Sequence, residues 1–155
     1  MKQVLILVLL LGIGVGLFAE TGLLGIWYGQ DYNTSRKILE SKGYTLNKNV
    51  KNVRNFENQN AEDCYLVVLY LDKKKKVAGW TLTFKKDLPE EMTHRFYAEC
   101  ILLHGTDYSV LAEDNVVDWQ LDEDRSFKLG FDENNRLNVA IYIDDKHPEL
   151  FISIE

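Results

Sequence analysis

The chain has 155 residues, 46% hydrophobic and 12% aromatic, with 18 Lys+Arg against 24 Asp+Glu and a net charge of −6. This composition suits one domain with a real core; it is too apolar for an intrinsically disordered chain and too short for two ordinary domains. The acidic balance argues against nucleic acid as the main ligand.

The chain opens on Lys2, an unbroken apolar run over 4–18, then Ala19 ahead of polar Glu20 and Thr21. A charged start, an apolar middle and a small residue before a polar one describe an export signal over 1–19. The run is shorter than the roughly 20 residues a spanning helix needs. An uncleaved N-terminal anchor is the alternative reading. Either way the remainder, 20–155, is expected to work outside the cytoplasm, in the periplasm or secreted. No cysteine lies near the end of the apolar run, so a lipid attachment point is lacking.

Residues 22–30 read as a first strand, with Ile26 and Tyr28 alternating with Trp27. Asp31 and Asn33 are good helix N-caps, and 34–42 reads as a short helix with Ile38 and Leu39 inward. Gly43 supplies its stop. Short strands are expected at 44–46 and 51–57, then a polar loop through Asp63. Residues 65–71 are a dense β-former run. Residues 77–84 alternate, with Trp80, Leu82 and Phe84 on one face and Thr81 and Thr83 on the other. Together they predict a β-hairpin whose tip is basic: Lys73, Lys74, Lys75 and Lys76. The strand at 65–71 is apolar on both faces. Cover is therefore expected on the outer sheet face, from 22–28 or from a partner.

Residues 88–103 form the clearest helix. Pro89, Glu90 and Glu91 suit its first turn, and Leu88, Met92, Phe96, Cys100 and Leu103 recur every three to four residues. Strands are expected at 108–111 and 116–121. A second hairpin joins 127–131 to 137–143 through 132–136. Phe127, Leu129 and Phe131 are read as one core-facing stripe, and Val139, Ile141 and Ile143 as its counterpart on the return strand. A last strand is expected at 150–154, after the break at His147 and Pro148.

The helix-then-strands order recurs at an offset of about 60, which suggests half-repeats at 31–87 and 88–155. The expected architecture is α+β: two helices packed on one antiparallel sheet. Charge divides the same way. Residues 20–87 hold 12 Lys+Arg against 8 Asp+Glu, whereas 88–155 hold 5 against 16, a net of −11. Such polarity steers charged partners or favours head-to-tail homo-oligomers.

Cys64 and Cys100 are the only cysteines. An even count in an exported chain permits one disulfide between them; two separate buried thiols are the alternative. Catalytic motifs are lacking: there is no Gly-x-Ser-x-Gly elbow, phosphate loop, dinucleotide glycine pattern or His-Glu-x-x-His. His94 and His104, on one helix, are out of phase as joint metal ligands. His94 reads as a solvated residue and His104 as a cation at the helix C-terminus. The clusters at 122–124 and 144–145 lack the alternating ligands of a calcium loop. No catalytic residue, metal site or cofactor is expected. Trp80 reads as core. Tyr70 and Tyr142 alternate outward and, with the four tip lysines, are the candidate binding residues.

The helix end Leu39-Glu40-Ser41-Lys42-Gly43-Tyr44, followed by strands, resembles the repeated helix-plus-sheet modules of the β-lactamase-inhibitor-protein-like fold. Small envelope proteins of the outer-membrane assembly lipoprotein type look similar. The resemblance implies an exported module that binds another protein with its sheet face. Gly25-Ile26-Trp27-Tyr28 resembles the opening motif of lipocalins, which implies a ligand-holding barrel; the mid-chain helix at 88–103 does not fit one. The expected function is thus a non-enzymatic interaction protein of the bacterial envelope. It would bind a protein or an envelope surface through its sheet face and charged hairpin tips. The alternatives are a small-molecule carrier with an apolar pocket between sheet and helices, and a small hydrolase.

Overall fold

The structure, a computed structural model, describes residues 22–111 and 115–151. The export signal read at 1–19 lies outside them, as does most of the strand expected at 150–154. Eight antiparallel strands form one sheet: β1 (Thr45–Val50), β2 (Val53–Glu57), β3 (Cys64–Leu71), β4 (Val77–Phe84), β5 (Ser109–Leu111), β6 (Val116–Gln120), β7 (Arg125–Phe131) and β8 (Leu137–Asp144). Two helices, α1 (Tyr32–Ser41) and α2 (Glu90–His104), precede β1 and β5. The sheet order is β1-β2-β3-β4-β8-β7-β6-β5, so each half contributes a helix and four strands, and the halves meet at β4 and β8.

Local chemistry explains the hairpins. Both β3–β4 and β7–β8 turn on an aspartate. Asp72 Oδ1 accepts the N–H groups of Lys74 and Lys76, each at 2.8 Å. Asp132 Oδ1 accepts those of Asn134 and Arg136, each at 2.9 Å. Lys75 (φ 61°) and Asn135 (φ 58°) then take the left-handed conformation. Such side-chain-to-backbone bonds specify a turn without tertiary help. The central pairing obeys the same relation. Trp80 pairs with Tyr142 and Leu82 with Ala140, about the pair Thr81 and Ile141. Adding 60 to Trp80 gives Ala140 and subtracting 60 from Tyr142 gives Leu82, so a pseudo-twofold passes through Thr81 and Ile141.

The helices cover one face. Beneath them lie Phe56, Val67, Leu69, Trp80, Leu82, Phe127, Leu129 and Tyr142, all under 2% exposed. Trp80, Tyr142 and Phe127 stack in a row, with ring centroids 4.0 and 4.2 Å apart. Trp119 continues the row and Tyr28 closes its other end. Burial of aromatic surface on this scale dominates the stability of a small domain.

Four expectations are corrected. Residues 22–30 form no strand: a 3-10 turn at Leu23–Gly25 is followed by turns in which Leu24, Gly25 and Gly29 take positive φ. This segment packs on the helix side, beside Trp80 and Tyr142, and not on the outer face. On β8 the core-facing residues are Ala140 and Tyr142; Val139, Ile141 and Ile143 face outward, because the register with β4 sets Tyr142 opposite Trp80. The helix expected at 34–42 begins earlier, because the Asp31 side chain accepts the N–H of Asn33 and caps the first turn. Lastly, residues 148–150 form a 3-10 turn, not the start of a strand.

Candidate interaction surface

The outer sheet face is built from rows that cross every strand. One runs Lys48, Asn55, Val68, Thr81, Ile141, Lys128, Asp118 and Ser109. Its neighbour runs Glu57, Leu66, Thr83, Val139, Gly130, Val116 and Leu111. Both are polar or charged toward β1 and β2; at the centre Leu66, Val68, Val139 and Ile141 flank Thr81 and Thr83. Leu66, Val68, Val139, Ile141 and Ile143 each keep part of their surface in solvent. Lys128 Nζ lies 3.4 Å from Asp118 Oδ2 on the β6 side.

Among the described residues, the chain covers one corner of this face. Phe151 lies against Tyr70, with ring centroids 4.9 Å apart. It also sits over Gly79, where an added Cβ would come within 2.5 Å of the Phe151 ring and of Tyr142 O. A glycine is required there by close approach, not by φ. Tyr70 thus faces outward as expected but is only 6% exposed.

Tyr142 is not on this surface. It is fully buried on the helix face, where its OH accepts the Leu23 N–H at 3.0 Å and meets His104 Nε2 at 2.9 Å. Its outward assignment followed from reading Val139, Ile141 and Ile143 as the core-facing stripe, but the β8 register puts it in the aromatic row. His104 is likewise not a helix-end cation. Desolvation pushes its imidazole down to about 4, so near neutral pH it is uncharged and accepts the Tyr142 O–H. His94 is 74% exposed, as expected of a solvated residue.

Lys73, Lys74 and Lys75 are exposed at the β3–β4 tip, and Lys76 Nζ lies 3.5 Å from Asp31 Oδ2. The equivalent β7–β8 tip carries Asp132, Glu133 and Arg136. One backbone turn therefore presents opposite charge in the two halves. Cys64 and Cys100 are both buried and unpaired in this structure, not bridged. Burial pushes the Cys64 thiol up to about 11 and the Cys100 thiol up to about 12, so both are unreactive thiols. Among the described residues no cluster of three or more His, Cys, Asp or Glu could hold a metal ion, and no helix is long and apolar enough to cross a membrane.

The outer faces of β7 and β8 were missed by sequence reasoning. The available signal was that Val139, Ile141 and Ile143 alternate with Tyr142, a strand apolar on both sides. Comparison with protein-family models, curated proteins and solved structures gives no match.

Proposed function

We propose that this protein is a non-enzymatic interaction module that binds a partner protein through the outer face of its sheet. The observation that carries the reading is the group Leu66, Val68, Val139, Ile141 and Ile143 on that face, each of which keeps part of its surface in solvent. A contiguous exposed apolar patch with a polar rim is the usual mark of a docking surface. The tip lysines, Lys73 to Lys75, lie free beside it to steer an acidic partner. Export to the bacterial envelope remains part of the proposal and rests on the sequence of residues 1–19. The filled aromatic row beneath the helices disfavours a carrier, since it leaves that centre no room for an internal ligand.

A photo-crosslinking residue at Val139 is expected to yield one discrete adduct in the native envelope. The same residue at exposed Glu40 on α1 should yield none. Equal labelling at both positions refutes the surface. Replacing Lys73 to Lys76 with serine should weaken binding and flatten its salt dependence; an unchanged salt response refutes the steering role.

A further inference from the structure

The two halves share their hairpins but close their helix ends differently. In the first half the Tyr32 N–H donates to Lys75 O at 3.1 Å, which ties the start of α1 to the hairpin tip. Arg54, only 6% exposed, lies over the Tyr32 ring with its Cζ 5.4 Å from the centroid. Its Nη1 donates to the carbonyls of Lys51 and Val53 at 2.7 and 2.9 Å. An arginine and an aromatic ring thus plug this end of the helix layer.

The register identifies the equivalent residues of the second half. Arg54 pairs with Leu69 as Val117 pairs with Leu129, so Val117 stands where the arginine would be. Asn135 takes the place of Lys75. α2 meets the sheet in its own way: Thr93 Oγ1 accepts the Leu137 N–H at 3.2 Å, as Gln30 O accepts the Val77 N–H at 2.9 Å. No described residue reproduces the Arg54–Tyr32 plug. In its place is an open groove of about 440 Å³. Val110, Val117, Tyr97 and Phe131 line it, with Thr93 and Asn135 at its rim. Val110 is 63% exposed there, with Leu111 beside it at 41%.

We infer that this groove is a second docking site, distinct from the outer sheet face, for a partner segment that carries an arginine or lysine beside an aromatic ring. The first half supplies the template, since its own Arg54 and Tyr32 fill the pseudo-equivalent position. Charge points to the same occupant: the groove lies in the half of net charge −11, and the adjoining hollow, which shares His94 and Asn135 with it, carries Asp87 and Glu90 beside Arg136. The aromatic ring would bury Val110 and Phe131, and the cation would be drawn by the acidic surroundings and the Tyr97 face.

The test is an NMR titration of the protein with acetyl-Arg-Gly-Tyr-amide, against acetyl-Glu-Gly-Tyr-amide. The arginine peptide should give saturable shifts at Tyr97, Val110, Val117 and Phe131, and the glutamate peptide should bind at least about tenfold more weakly. Val117→Arg rebuilds the internal plug and should lower affinity about tenfold. Val110→Lys, at an exposed position that leaves the core intact, should do the same by repulsion. The inference is overturned by an absence of saturable shifts at these residues, by equal binding of the two peptides, or by wild-type affinity in folded Val110→Lys. Its failure leaves the outer-face reading standing, because Val139 crosslinking does not involve the groove.

Discussion

Lowering the pH should unfasten one buried contact at a computable cost. His104 sits at the C-terminal end of α2 with its ring 4.8 Å from Phe127 and its Nε2 2.9 Å from Tyr142 OH. Tyr142 OH in turn accepts the Leu23 N–H, so the imidazole ends a chain that ties residues 22–30 to the core. Burial holds the folded-state pKa at about 4, whereas the unfolded value is the ordinary 6.5. Between those values the unfolded chain binds the extra proton and the folded chain does not. Stability is therefore undiminished above pH 6.5 and falls as pH drops toward 4. The gap between those two values, at 1.36 kcal/mol per pH unit, bounds the loss at roughly 3.4 kcal/mol. The ring keeps an edge in solvent, and screening there brings the expected loss to about 2 kcal/mol. Urea unfolding at pH 7, 5.5 and 4, on the wild type and on His104→Gln, reads this directly. The glutamine carbonyl still accepts the tyrosine proton but does not titrate, and carboxylates that protonate near pH 4 cancel in the difference. The wild type should lose about 2 kcal/mol more than the variant across that range. Parallel stability curves would refute the buried, neutral histidine.

Tyr142→Phe removes the acceptor of the buried Leu23 N–H and the donor to His104, and should cost about 1–3 kcal/mol in chemical denaturation. Gly79→Ala forces a Cβ against Phe151 and Tyr142 O, so it should destabilise by about 1–3 kcal/mol; a neutral effect would refute the close approach of both Phe151 and the β8 backbone to Gly79. Asp72→Ala and Asp132→Ala each remove two turn hydrogen bonds of the same geometry. Each should lower stability by about 1 kcal/mol and by nearly equal amounts, which tests the equivalence of the hairpins. Cys64 and Cys100 should resist a thiol reagent at pH 8 in the folded protein and both react in urea, with no change of melting temperature on adding reductant.

The hairpins were legible because their determinants are local. An aspartate that accepts two backbone N–H groups, followed by a residue tolerant of positive φ, lies within five residues of sequence. Helix α2 was legible for a related reason, since Met92, Phe96 and Cys100 fall on one face at helical spacing, and the last two are buried. The segment 22–30 misled because Ile26, Trp27 and Tyr28 alternate like a strand. Yet Gly25 and Gly29, at φ 77° and 76°, were the visible sign of a chain that turns. β8 misled in a different manner. Both of its stripes are apolar, so periodicity alone could not choose between Val139, Ile141, Ile143 and Ala140, Tyr142. Pairing with β4 chose, by placing the Tyr142 ring between Trp80 and Phe127.

Taken alone, the sequence determined the class of the fold: two helices, two strong hairpins, one antiparallel sheet and a charge division between the halves. These follow from interactions a few residues apart, where spacing and turn chemistry suffice. Tertiary structure alone decided which face of β8 is buried, that Tyr142 and His104 belong to a buried hydrogen-bonded chain, and that Cys64 and Cys100 stand unpaired. It also decided a difference between the two halves. The pseudo-equivalent positions Arg54 and Val117 lie 63 residues apart, and only the sheet register reveals that one end of the helix layer is plugged while the other stands open.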